Sequence, residues 1–192
     1  MSKTRVEAFS DGVIAIIITI MVLELRVPHG TDLDALKPLV PILLTYLLSF
    51  VYVGIYWNNH HHMLHMTSRI SGMILWANLH LLFWLSLVPF VTGWMGENHF
   101  APLPTAVYGM VLLGAGLAYT ILQATIMSDQ GERSALAAAV GADLKGKTSA
   151  LLYASAIPLA FVSEWISDAI YVFVAILWFI PDRRIESRLK GE

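Results

Sequence analysis

A chain of 192 residues in which 57% are hydrophobic and only 14% are charged is more apolar than a soluble domain, which is roughly 45–50% apolar. Its net charge of −2 gives no basic surface for nucleic acid, so no nucleic-acid partner is expected. Because it has no cysteine, a disulfide framework, a thiolate nucleophile and a cysteine-based metal site are excluded. This composition is typical of an integral membrane protein.

Six segments are apolar enough, and long or nearly long enough, to cross a bilayer, since a spanning helix needs about 20 mostly apolar residues. Their approximate bounds are residues 6–25, 38–57, 72–95, 103–127, 148–162 and 166–180. A turn at the membrane surface between the last two keeps Glu164 and Asp168 out of the hydrocarbon, which favours two helices over one broken helix. The first run is long for a cleaved signal and is interpreted as a membrane helix. We therefore predict an all-α integral membrane protein with six transmembrane helices in one domain, residues 1–192.

The distribution of basic residues predicts the orientation of these helices. With six spans, one side of the membrane holds ten of the twelve lysines and arginines, and the other side holds only Arg26 and Lys37. Because cytoplasmic loops carry an excess of Lys and Arg, both termini are predicted to lie in the cytoplasm, with the chain as a multi-pass protein of the cell (plasma) membrane.

The first segment begins with polar residues and continues as an apolar run. On a helix, Ile16, Thr19, Ile20 and Leu23 stand at i, i+3, i+4 and i+7 and form one stripe, whereas Asp11 points well away from it. If the stripe faces an axis shared by several copies of the chain, the polar residues at the start of the helix anchor it within its subunit and the stripe lines a passage along the axis. Periodicity alone favours the plainer alternative, in which the stripe packs against lipid or another helix.

Polar residues also occur in the second and third segments. His61 and His65 stand at i and i+4, a spacing that can hold zinc, but a third ligand is lacking and interfacial histidines are more often solvated or hydrogen-bonded. Trp76, Asn78 and His80 interrupt an apolar span and would need polar partners if buried; alternatively, Trp76 and Asn78 belong to an interfacial belt.

No set of residues predicts catalysis. The sequence has no G-x-S-x-G motif, no phosphate-binding loop and no pair of carboxylates within a span. We therefore expect neither an enzyme nor a cofactor or resident metal, with an intramembrane metalloenzyme using His61 and His65 kept as an alternative.

Three motifs in order carry a family resemblance. Arg5-x-x-x-Phe9-Ser10-Asp11 precedes an isoleucine-rich run, GIYWNNHHH occupies residues 54–62, and NLHLLFWLSLVPFVTGWMGE occupies residues 78–97. Together they resemble the transmembrane protein 175 family of endosomal and lysosomal potassium channels and their prokaryotic relatives. The resemblance covers the first half of the chain in detail and the second half mainly in its number of spans.

The resemblance implies a channel fold that differs from the tetrameric potassium channels with a pore-loop helix and a carbonyl filter, and the sequence indeed lacks T-V-G-Y-G. It implies a homotetramer whose first helices surround the ion pathway, with Ile16 at a hydrophobic constriction and Thr19, Ile20 and Leu23 as further lining. A polar network would brace this helix, with Arg5 and Asp11 as a buried pair. Its members would be Arg5, Phe9, Ser10, Asp11, His60, Trp76 and Asn78, although the choice of His60 within the triple histidine stays open.

The function implied is a potassium-permeable cation channel, with other monovalent cations possible as permeant ions and the lipid bilayer and other copies of the chain as partners. Ions would be selected by the cost of partial dehydration at the apolar ring. The alternative is a proton-permeable pathway or a secondary cation transporter that uses Asp11 and the histidines.

Overall fold

The fold is a bundle of helices, seen in a computed structural model that describes residues 2–131, 136 and 143–179. All regular secondary structure in these residues is helical. Two 3₁₀ turns, Val22–Glu24 and Leu33–Leu39, flank the connection between the first two α-helices. The α-helices are α1 (Lys3–Met21), α2 (Val40–His65), α3 (Gly72–Ser86), α4 (Val88–Glu97), α5 (Pro102–Gln130), α6 (Leu144–Leu159) and α7 (Glu164–Phe179).

The predicted all-α class is confirmed, and a helix or helix pair lies at each of the six predicted segments. Within the part of the chain that the structure describes, four stretches are long and apolar enough to cross a membrane: Lys3–Glu24, Leu33–His65, Gly72–Glu97 and Pro102–Gln130. Helices α6 and α7 have 16 residues each, which at 1.5 Å per residue is about 24 Å. Residue 180, the predicted end of the last span, lies outside the described residues, as does the C-terminus.

The largest differences from the predicted bounds lie in the second and third spans. Helix α2 continues to His65, two turns beyond the predicted end at residue 57, through a run of asparagine and histidine that the apolarity criterion had excluded. The third predicted span is divided at Leu87, because Pro89 has no N–H to donate to the Leu85 carbonyl. Helices α3 and α4 therefore form one interrupted span.

The core of the bundle lies around α5, which packs against α3, α4, α6 and α7. Helix α1 packs on α2, α3 and α4. The buried side of α1 consists of Val6, Ser10, Ile14, Ile17 and Met21. Helix α1 is therefore attached to the rest of the subunit along one face only.

Glycines allow α4 and α5 to approach their neighbours closely. A Cβ on Gly96 would lie 2.8 Å from the Ile42 Cα, and one on Gly114 would overlap the Trp84 ring. In membranes such small residues favour helix association because backbones can come into van der Waals contact. Gly96 thus sets the distance between α4 and the start of α2.

We expect Gly96→Ala to destabilise the protein by about 1–3 kcal/mol, because the new methyl group can be accommodated only if the α2 backbone moves. Thermal unfolding of the purified protein in detergent measures the effect. Gly54→Ala is the matched control, since a Cβ there meets nothing within 4 Å. Equal unfolding temperatures for the two variants would contradict this account of the α2–α4 contact.

Candidate functional site

Helix α1 has two faces of opposite character. Val6, Ile14, Ile17 and Met21 are buried in the subunit, whereas Ile16 and Leu23 are 58% and 74% exposed in the single chain. Thr19 and Ile20 are also exposed, so three residues of the predicted stripe lie on the outer face of α1, and the exposed Leu23 follows in the 3₁₀ turn Val22–Glu24. This placement agrees with the helical spacing of the stripe in the sequence. A shared axis and a lipid environment both lie outside the subunit, so the exposure of the stripe is compatible with either.

Thr19 is the polar member of this outer face. Its hydroxyl donates a hydrogen bond of 2.9 Å to the Ile16 carbonyl one turn earlier. Because the proton is directed to the backbone, the lone pairs of the hydroxyl oxygen remain available as acceptors. A group of this kind can offer an oxygen to a cation that passes along the face.

The inner face of α1 is held by a buried chain of three polar side chains. The Asn78 amide donates to Ser10 Oγ at 2.9 Å, and Asn78 Oδ1 is 2.7 Å from His60 Nε2. All three residues are buried. The chain connects α1, α3 and α2, and the Ser10 contact fixes the rotation of α1 relative to the two helices behind it.

Asp11 has a different partner from the one predicted. Its Oδ1 accepts a 3.0 Å hydrogen bond from Trp57 Nε1, whereas Arg5 is exposed and its guanidinium makes no hydrogen bond or ion pair with the residues that the structure describes. Six residues separate Arg5 and Asp11, which places them about 120° apart around the helix. The predicted buried pair between them is therefore wrong within the subunit.

The remaining predicted members of the polar network lie apart from the buried chain. Phe9 is 52% and Trp76 is 76% exposed, so neither contributes to the interior of the single subunit. Sequence reasoning missed Trp57, although it belongs to the GIYWNNHHH motif and stands one turn before His61. The feature that could have indicated Trp57 is its indole N–H, a hydrogen-bond donor on the helix that packs beside Asp11.

The paired histidines of α2 form a stack. The His61 and His65 rings lie 6.3 Å apart with nearly parallel planes, and Trp57 stacks on His61 from the other side. Among the described residues, no group of three or more histidine, aspartate or glutamate side chains is arranged to hold a metal ion. The structure thus supplies no third ligand for the zinc alternative.

Both ends of α1 are tied to other elements. Near its start, Lys3 Nζ donates 2.7 Å to the carbonyl of His65, at the end of α2. Beyond its end, Arg26 pairs with Glu97 at 2.7 Å, at the end of α4. Such exposed contacts contribute little stability each, about 0–1 kcal/mol, but they position the two ends of the outer face.

Comparison with known proteins gives consistent matches. The family model described as endosomal/lysosomal potassium channel TMEM175 matches residues 5–89. A protein named potassium channel from Chryseobacterium is 52% identical over 190 residues, with 99% of each chain covered. The human protein named endosomal/lysosomal proton channel TMEM175 is 38% identical over 96 residues, which are 43% of this chain and 19% of the human protein.

A solved structure has the same fold. The crystal structure of a lysosomal potassium-selective channel TMEM175 homolog from Chamaesiphon minutus superposes with a TM-score of 0.79 at 29% sequence identity. The alignment covers 93% of this chain and 96% of that one, so it includes the second half of the bundle, where the sequence motifs are weak.

Proposed function

The chain belongs to the TMEM175 family and is a potassium channel, and from this we propose that four copies assemble with their α1 helices around a central ion pathway. In this proposal Ile16 forms the narrowest ring, and Thr19, Ile20 and Leu23 line the pathway on its side of the membrane. The protein would reside in the plasma membrane with both termini in the cytoplasm.

The observation that carries the proposal is the division of α1 into two faces. Its inner face is fixed by the buried chain of Ser10, Asn78 and His60, while Ile16 on its outer face and Leu23 in the turn that follows are exposed to whatever lies beyond the subunit. Because these contacts fix the rotation of α1, every copy would present the same residues to a symmetry axis, as the lining of a pore requires.

Selection in such a pore would depend on dehydration. Isoleucine side chains have no oxygen for a cation, so a narrow ring of them imposes the cost of removing water without replacing it. Potassium holds its water less strongly than sodium and would therefore cross with the lower barrier. The Thr19 oxygens, one turn away, would compensate part of that cost.

A second candidate is proton permeation, which the name of the human relative favours. Asp11 and the histidines would carry the proton in this case. The contacts around His60 weigh against a relay through the inner face of α1, because His60 Nε2 meets the Asn78 amide oxygen, and an amide side chain does not titrate.

Flux from liposomes that contain the purified protein tests the proposal. We expect potassium efflux to exceed sodium efflux without a coupled gradient, and we expect a complex of four 21.3 kDa chains by native mass spectrometry. Dimers or monomers that conduct would contradict the fourfold arrangement. Proton flux that persists without permeant potassium would favour the second candidate.

A further inference from the structure

A partly open cavity lies in the part of the subunit where no residue of α1 contributes to the lining. It has a volume of about 50 Å³ and lies between α2, α5, α6 and α7. Because one water molecule needs roughly 10–15 Å³ of such space, the cavity has room for about four small non-hydrogen atoms. Asn59 and Asp143 line it, at the end of the bundle where α1 begins.

Five of the thirteen residues that line the cavity are aromatic. Tyr52 and Tyr153 meet edge to face at 6.3 Å, and Tyr56 and Tyr119 do so at 6.2 Å. Trp178 completes the wall from α7. Aromatic faces attract cations through their quadrupole, and this attraction increases where water is excluded.

Three of the hydroxyl groups around the cavity donate their protons to backbone carbonyls. Thr120 donates to the Gly116 carbonyl at 3.0 Å, Ser149 to the Lys145 carbonyl at 2.8 Å, and Tyr52 to the Tyr171 carbonyl at 2.6 Å. Ser149 Oγ accepts in turn from the Trp178 ring nitrogen. Because the protons of these three hydroxyls are committed to the backbone, their oxygens can act only as acceptors toward a ligand, which suits a ligand that brings its own donors.

The charge in the cavity wall is negative. Among the described residues that line it, Asp143 is the only one with a formal charge. One oxygen of its carboxylate accepts the Gly146 N–H at 3.1 Å and caps α6, and a carboxylate has further acceptor positions. An aromatic wall, acceptor oxygens and one carboxylate together match a small cation with N–H donors.

We propose that this cavity binds a primary ammonium group, R–NH₃⁺, whose charge faces Asp143 and the tyrosine rings and whose N–H groups donate to the surrounding oxygens. The site is separate from the outer face of α1 and does not depend on the proposed pore. The ammonium can come from a free small amine or from an ethanolamine lipid headgroup, since both carry the same group.

Binding of radiolabelled methylammonium to the full chain in detergent, measured by scintillation proximity, tests the proposal. We expect saturable binding that unlabelled methylammonium displaces. Tetramethylammonium, which has charge but no N–H donor, should compete at least several-fold more weakly. Absence of saturable binding, or equal displacement by the neutral isostere methanol or by potassium, would overturn the assignment of a primary ammonium.

Two matched pairs of variants locate the binding. Asp143→Asn keeps a residue that caps helices well, so the fold should persist, while affinity should fall about tenfold or more with the loss of a charge-assisted hydrogen bond. Asp34→Asn removes the same charge from an exposed position and should bind as the unaltered protein does. Thr120→Val should weaken binding, whereas Thr125→Val, which removes a hydroxyl with the same backbone bond on the same helix, should not. Equal affinity in Asp143→Asn and Asp34→Asn would place the methylammonium elsewhere and contradict the site.

Nanodiscs of two compositions distinguish the two sources of the ammonium. If a headgroup enters the cavity, methylammonium should bind more weakly in discs that contain phosphatidylethanolamine than in discs of phosphatidylglycerol alone. If only free amines enter, affinity should be the same in both. A difference between the lipids that persists in Asp143→Asn would arise outside the cavity and would contradict headgroup binding there.

Discussion

Replacing Ile16 by asparagine is expected to raise the permeability of sodium relative to potassium by about fivefold, which corresponds to ~1 kcal/mol in the difference between the two barriers. The wild-type ring would offer no oxygen to the ion, so the ion with the more weakly held water would cross more easily. Four amide oxygens would replace part of the lost hydration and reduce that advantage. Reversal potentials under bi-ionic conditions measure the ratio.

A matched control separates a pore position from a lipid-facing one. Ile176 on α7 is 56% exposed in the single chain, nearly the same as the 58% of Ile16. Ile176→Asn therefore introduces the same group at a similar exposure on a different helix. We expect it to leave the permeability ratio unchanged. If both variants shift the ratio equally, or neither does, Ile16 is not the constriction.

The arrangement of α1 could be predicted from the sequence because it follows from helical periodicity. A spacing of i, i+3, i+4 and i+7 places Ile16, Thr19, Ile20 and Leu23 on one side regardless of what surrounds the helix. The buried partners of Ser10 were also foreseeable in kind, since Asn78 is a polar group within an apolar segment and His60 closely follows another. What faces the outer side depends on other copies or on lipid, and a single sequence does not determine it.

The partner of Asp11 could not be predicted in the same way. The family resemblance implied a buried pair with Arg5. Helix geometry separates them, and Asp11 instead receives the indole N–H of Trp57, a residue that is also a plausible membrane anchor by composition. The choice between these partners depends on the rotation of α2 relative to α1, which is a property of tertiary packing.

The cavity beside α6 had no sequence signal at all. Its tyrosines lie on three helices, and in the sequence they resemble ordinary aromatic residues on apolar helix faces: Tyr52, Tyr56, Tyr119 and Tyr153. Their convergence on Asp143 follows from how α5 packs against α2 and α6. Sites built from helices distant in the chain become visible only when the bundle is assembled.

Asn78→Leu is expected to destabilise the subunit by about 2–4 kcal/mol, although leucine has nearly the same size as asparagine and suits a membrane interior. The change removes two hydrogen bonds and leaves the Ser10 hydroxyl and the His60 ring nitrogen buried without that partner. A buried polar group without a partner costs about 1–3 kcal/mol, more than the hydrogen bond itself contributes. Loss of the Ser10 contact would also free the rotation of α1, so we expect fewer tetramers. Unfolding in mixed micelles and native mass spectrometry measure the two effects.

Two comparisons decide whether the buried chain is the cause. Asn98→Leu makes the same substitution at an exposed position, where the amide bonds only to the Trp94 carbonyl on its own helix, and should cost less than about 1 kcal/mol. The combined variant Ser10→Ala, His60→Leu and Asn78→Leu removes all three polar groups, so that none of them is left buried without a hydrogen-bond partner. It should therefore be more stable than Asn78→Leu alone, because the penalty comes from unpaired groups and not from the loss of polarity. A combined variant less stable than the single one would mean that packing around these side chains, rather than their hydrogen bonds, holds α1 in place.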